Sequence, residues 1–298
     1  MRQFIAKSKK WVGYLFFCII MAIVLLYYRF PSDALRNYLQ ATVNRLNNSV
    51  TLTIGDIKPS FPPAIQLERP GVFFKGKPSK RLFRADSLLI KPNFWSFIKG
   101  KEKYCFECFL YRGDVTGCVN FKKNNMELPF DTEIELKNID IAEYEYIKNL
   151  IGWQVDGILY ASIFYNGQQR SLMDGTGEAN LQLLDGKIDL LVPILNLESI
   201  QFDKIDSSIV LKKQTINLKR LELTGPLLKS TLSGTIRLKK EFKKSILNLK
   251  GTIMPFASFF KSMGDVSKTM NYFKQRMKKG ALYFIIYGTL VEPKIRFT

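Results

Sequence analysis

Glu133 and Glu135 stand two apart in the alternating run Thr132 to Lys137, so their carboxylates share one face of a strand, and Glu143 and Glu145 precede a helical stretch. Paired carboxylates do acid–base work when their surroundings push their pKa values apart, and a polar strand face does not do that. They read as solvated surface. Ser96-Phe-Ile-Lys99 and Ser258-Phe-Phe-Lys261 have the S-x-x-K spacing of serine acyl-enzymes, but both lysines stand beside apolar stripes and the S-D-N and K-T-G companions are missing. Histidine is absent, which removes Ser-His-Asp and Cys-His machinery, His-ligated zinc and the commonest general base together. No GxxxxGK or GxGxxG phosphate loop occurs, and Arg112-Gly113-Asp114 reads as a turn. No catalytic, cofactor-binding or metal site is expected.

Four cysteines remain: Cys18, Cys105, Cys108 and Cys118. The last three have no fourth ligand spaced nearby, which argues against a metal. If Arg112-Gly113-Asp114 is a three-residue hairpin loop, Cys108 and Cys118 come opposite each other on paired strands. In an oxidising compartment they are the candidate disulfide. Cys18 follows bulky Leu15-Phe16-Phe17, where a lipoprotein site has small residues.

The elements that carry these residues begin with Trp11 to Tyr28, eighteen residues without a charge. With Phe30 the run reaches the ~20 residues that cross a hydrocarbon core, so residues 11–30 are expected to be a transmembrane anchor, bounded by Trp11 and Tyr28. Arg2, Lys7, Lys9 and Lys10 precede it, which keeps residues 1–10 cytoplasmic by the positive-inside bias. The exit lacks the small residues of a cleavage site, so the anchor stays uncleaved, single-pass in an inner membrane, with the rest of the chain periplasmic. Pro31 stops the helix, and Ser32 or Asp33 caps a new one over 31–48. Its stripe of Leu35, Tyr38, Leu39, Thr42, Val43 and Leu46 either lies on the membrane or plugs the end of the next domain, with the plug favoured.

From Val50 the apolar period changes to two, and about fifteen short alternating runs recur through residues 49–298. The expected fold is mainly β: a large curled antiparallel sheet or open, barrel-like groove with a few short helices. Residues 92–100 read as one helical turn, 139–152 as a short helix and 255–280 as a longer amphipathic one. That last helix either caps the sheet or meets a membrane or partner. "GPLLKSTLSGTIRL", "SILNLKGTIMP" and "ALYFIIYGTLVEPKIRF" repeat a Gly-Thr after alternating apolar residues, where glycine lets a large sheet bend.

The net charge is +19, and residues 204–298 hold 20 Lys and Arg against 5 Asp and Glu. Nucleic acid is the first partner such a bias suggests, but an exported domain meets lipid headgroups, envelope polymers and acidic partner domains instead, and scattered lysines on strand faces read first as solvated surface.

"FPSDALRNYLQATVNRL", "VTLTIGDIKPSFPPAIQLERPGV", "YRGDVTGCVNF" and "NIDIAEYEYIKNLIGWQVDGILYASIFYNG" together resemble the type II secretion system protein N of the deltaproteobacterial type. "YFIIYGTLVEPKIRF" is similar to the closing strands of AsmA-like envelope proteins. The first resemblance implies a non-enzymatic periplasmic component whose partners are the inner-membrane secretion platform proteins. The second implies an apolar groove that binds or transfers phospholipid. The cysteines at 105 to 118 depart from the family pattern.

Overall fold

The computed structural model describes residues 2–46, 49–60, 63–75, 77–121, 129–144, 154–168, 171–194, 197–262, 275 and 277–298. Helix α1 runs Arg2–Tyr28 and α2 runs Ser32–Leu46. Among the described residues no helix is long and apolar enough to cross a membrane, so the span expected at 11–30 has no support from the structure and is taken up below as a proposal. The side chains of residues 2–10, 19, 23 and 26 of α1 lie outside the described set, and Trp11 and Tyr28 are exposed.

The break between the helices behaves as proline chemistry dictates. Pro31 takes the cap position, its carbonyl accepts the Leu35 N–H at 3.0 Å, and Ser32 and Asp33 fall inside the first turn. Asp33 lies 3.3 Å from Arg36, which also reaches Asp56 at 3.5 Å. Leu35 and Leu39 pack with Phe30 against the buried Ile54, Ile57 and Leu67, so the stripe covers one end of the β domain, while Tyr38 stays exposed.

The domain itself opens with β1 (Val50–Thr53), β2 (Asp56–Ser60), β3 (Ala64–Glu68), β4 (Gly71–Phe74), β5 (Lys77–Arg84) and β6 (Ser87–Pro92). A five-residue helix, α3 (Phe94–Ile98), follows, then β7 (Glu102–Leu110), β8 (Gly113–Phe121), β9 (Pro129–Asp140), β10 (Gln154–Gln168) and β11 (Ser171–Ile194). The chain ends with β12 (Leu197–Lys212), β13 (Thr215–Thr224), β14 (Leu228–Arg237), β15 (Ile246–Pro255), α4 (Ala257–Ser262), β16 (Leu282–Thr289) and β17 (Pro293–Phe297). Strands β1, β4 and β5 form a small sheet. The other 14 form one antiparallel sheet whose order, from β17 down to β6 and then β3 and β2, is almost the order of the chain. Mainly β with few short helices is therefore the observed class, and β17 and β2 are the two edges of the sheet.

Two helical expectations are met only in part. Of 139–152, a single 3-10 turn at Ile141–Glu143 is described, and of 255–280, α4. Residues 145–152 and most of 263–276 lie outside the described residues. The alternating runs 177–184 and 187–193 lie on one 24-residue strand, β11, with Asp185 at φ +49° between them.

The expected pairing of Cys108 with Cys118 is corrected. The β7–β8 turn contains two residues, Tyr111 and Arg112, both at positive φ (47° and 60°), and Leu110 faces Gly113. Two positive φ values in succession give a turn whose twist matches that of the flanking strands. The register therefore brings Cys105 opposite Cys118, Cα atoms 4.0 Å apart, and these two form the disulfide. Cys108 faces Val115 and is a free, buried thiol.

Candidate functional site

Residues directly opposite in antiparallel strands project from the same face of a sheet, so the registers trace rows across it. One row crosses all 14 strands: Ile57, Leu67, Leu88, Cys108, Val115, Leu136, Ala161, Leu181, Ser207, Leu221, Leu232, Gly251, Phe284 and Phe297. The next row on that face runs Pro59, Ile65, Ile90, Phe106, Gly117, Ile134, Ile163, Ala179, Ile209, Leu218, Gly234, Leu249, Ile286 and Ile295. Neither row holds a charge, and Ser207 is the one polar residue in both. One position along, the opposite face reads Gln66, Leu89, Glu107, Thr116, Glu135, Ser162, Asn180, Ser208 and Arg220.

Large rings fill the gaps that glycine leaves. A Cβ on Gly251 would meet the Phe284 ring at 2.5 Å, and one on Gly117 the Phe106 ring at 2.8 Å, because each ring lies over the glycine opposite it. The apolar face stays continuous where its side chains are missing.

Over β6 to β10 this face bounds a cavity of about 650 Å³, lined by Leu88, Ile90, Phe106, Val115, Val119, Leu136 and Leu159 among others. That volume is in the range of small-molecule sites. Phe83, Ile141 and Tyr144 line it where Ala85, Cys108, Leu110 and Ile139 are buried. At the other end Tyr104, Phe121, Phe130 and Tyr165 form a row of rings with centroids 5.6 to 6.3 Å apart, and Tyr104 is exposed. Burial pushes the Cys108 thiol up to about 11, and the Asp86 carboxylate adds to the shift. On β11 to β15 the same face carries two clusters of buried residues, one around Phe202 with Phe259 of α4 against it, the other around Leu218, Leu247 and Leu249.

The polar face has a cavity of about 540 Å³, lined by Glu135, Lys137, Tyr160, Asn180, Gln182, Asp206 and Arg220. Its acids are engaged. Lys137 meets Glu135 at 2.8 Å, and Asp206 accepts from Gln182 at 3.0 Å and lies 2.9 Å from Lys204. The Gln182 hydrogen bond, with Lys204 and Arg220, holds the Asp206 carboxyl below the usual range. Glu133 and Glu135 do share this face, as their spacing requires, and both are exposed. Ser258 donates to the Pro226 carbonyl at 2.8 Å, and the Ser96 N–H donates to Asn93 Oδ1 at 3.2 Å. Among the described residues no group of His, Cys, Asp and Glu is placed to hold a metal ion.

Residue types alone do not mark the cavity as a site, because its lining is ordinary strand apolar residues; the signal is the charge-free alternation, visible only once registers align it. No protein-family model, no curated protein and no solved structure matches the chain.

Proposed function

We propose that the protein is a non-enzymatic, membrane-tethered binding protein of the cell envelope whose curled sheet forms a trough for acyl chains. One observation carries this reading: two adjacent rows cross 14 strands without a charge, beside a cavity lined by apolar side chains. A sheet face this wide is covered in most domains by a second layer, because exposed apolar area is costly. Among the described residues, α3 spans five residues and α4 is seen over Ala257–Ser262. Acyl chains complete the layer in this reading, and α1 holds the trough at the membrane that supplies them.

The test uses the full chain in membranes doped with a phospholipid that carries a photoreactive acyl chain, followed by peptide mapping. Adducts are expected on residues 104–121 and 130–139, as well as on α1, which serves as an internal positive control. Labelling confined to α1 would sink the trough.

The motif resemblance supports a second, compatible reading, in which the protein is an accessory of the type II secretion apparatus. The junction Phe30-Pro31-Ser32-Asp33 favours it, because α2 is packed onto the domain and couples domain to anchor. Co-purification with the inner-membrane secretion platform is expected. Unaltered secretion in a deletion strain, with no platform association, would remove this reading.

A further inference from the structure

Helix α3 exposes nearly everything apolar that it has. Phe94, Trp95, Phe97 and Ile98 retain 51, 77, 38 and 77% of their surface. Single exposed apolar residues are ordinary, but four within five consecutive positions form a patch, and patches mark contact surfaces. The exposure is not that of a loose loop, since hydrogen bonds fix the segment at both ends. The Asn93 N–H donates to the Lys103 carbonyl at 2.9 Å, Asn93 Oδ1 accepts from Ser96, and the Lys101 N–H donates to the Ser96 carbonyl at 2.8 Å.

Two further observations say what would cover the patch. Lys99 and Lys101 follow it directly, both exposed, and neither makes an ion pair among the described residues. The patch is also continuous with the apolar face: the Phe97 ring meets Tyr104 edge-on at 5.5 Å, and Tyr104 starts the row of rings that passes through Phe121 and Phe130 to Tyr165. Tryptophan with aliphatic neighbours and flanking lysines suits a bilayer interface, where indole lies at headgroup depth and ammonium groups meet lipid phosphates. We propose that α3 is a lip that inserts into the interface of an anionic phospholipid bilayer and brings the ring-lined end of the cavity against it. Lysines on the flank of an apolar patch call for an anionic occupant, and anionic headgroups supply that complement everywhere along a bilayer. The bilayer contact stands on the lip alone and does not depend on acyl chains entering the trough.

Trp95 is one of three tryptophans, so Trp11→Phe with Trp153→Phe leaves it as the sole indole. The full chain is reconstituted in phosphatidylglycerol–phosphatidylcholine vesicles, with brominated acyl chains in every bilayer of the sample. Trp95 emission is expected to be blue-shifted and quenched, and most of the quenching should be lost with Lys99→Glu/Lys101→Glu or in phosphatidylcholine alone. Blue-shifted emission without quenching would mean that protein, a second copy or another part of this chain, covers the ring, and it overturns the proposal. Unshifted, unquenched emission overturns it as well. If the single-tryptophan background fails to fold, a photoreactive benzoylphenylalanine in place of Ile98 in the otherwise native chain decides between the same outcomes: lipid adducts support the lip, and protein-only adducts refute it.

Discussion

Gly113 is placed for the neighbouring strand and not for the turn it borders. Its backbone passes so close to the end of β9 that a Cβ would fall 2.5 Å from the Asn138 carbonyl oxygen, where Asn138 itself sits at φ +57°. Taking it as a turn glycine shifts the hairpin register by three residues and selects the wrong cysteine, because the positive φ values are borne by Tyr111 and Arg112, which carry no sequence mark. Gly113→Ala should cost about 2 kcal/mol, read as a lower urea midpoint, since the contact is with backbone and cannot be relieved by a rotamer change. Ser207 makes the opposite case. Its hydroxyl is buried in the apolar row and has no hydrogen-bond partner among the described residues. Ser207→Ala is expected to stabilise the fold by about 1 kcal/mol, and destabilisation would show that the hydroxyl has a partner. Cys108 supplies a pH dependence. Below its ordinary value of 9.0 the thiol is neutral in both the folded and the unfolded chain; between there and about 11 the unfolded chain ionises first, so stability falls as pH rises through that window. In Cys108→Ala that part of the decline in urea midpoint should vanish.

Strand β10 shows what alternation encodes. Ala161 points into the charge-free row and Ser162, its neighbour, to the polar face beside Glu135 and Asn180. Ala161→Asp should cost about 3 kcal/mol or more through an unpaired charge on the apolar side, whereas Ser162→Asp should stay within about 0.5 kcal/mol. Similar losses at both positions, measured by thermal unfolding, would mean that the two faces are not distinct. The period of two was legible from residue 50 onward, and so were most strand positions. Strand length was not, because the bend at Asp185 lets one strand continue through what reads as a break. The packing of α2 was legible from Leu35 and Leu39. The lip was not: "PNFWSFIKG" reads as one helical turn, and nothing in its residue types says that neighbouring elements leave it uncovered.

Fourteen strands in one sheet need protected edges, and both outer strands have them. β2 carries Lys58 and Pro59, with Lys58 held 2.6 Å from Glu68, and β17 carries Pro293, Lys294 and Arg296. Proline removes a donor from the ladder, and charge discourages a second chain from pairing there. Pro59→Val with Lys58→Val should promote self-association, detectable by light scattering at a concentration where the parent chain stays dispersed. The cluster of basic residues in the last third is in keeping with this architecture: Lys229, Arg237, Lys250, Lys294 and Arg296 lie on the polar side of β14 to β17 or on its edge.

The strand order has one more consequence, which concerns time. From β7 to β17 each strand hydrogen-bonds to the strand just before it in the chain, so every new ladder forms on an edge that already exists. Such a sheet can grow by accretion, in the direction in which the polypeptide is delivered, without waiting for its last residues. A chain delivered from its N-terminal side would thus present β6 to β10, and the cavity they bound, before β17 was available.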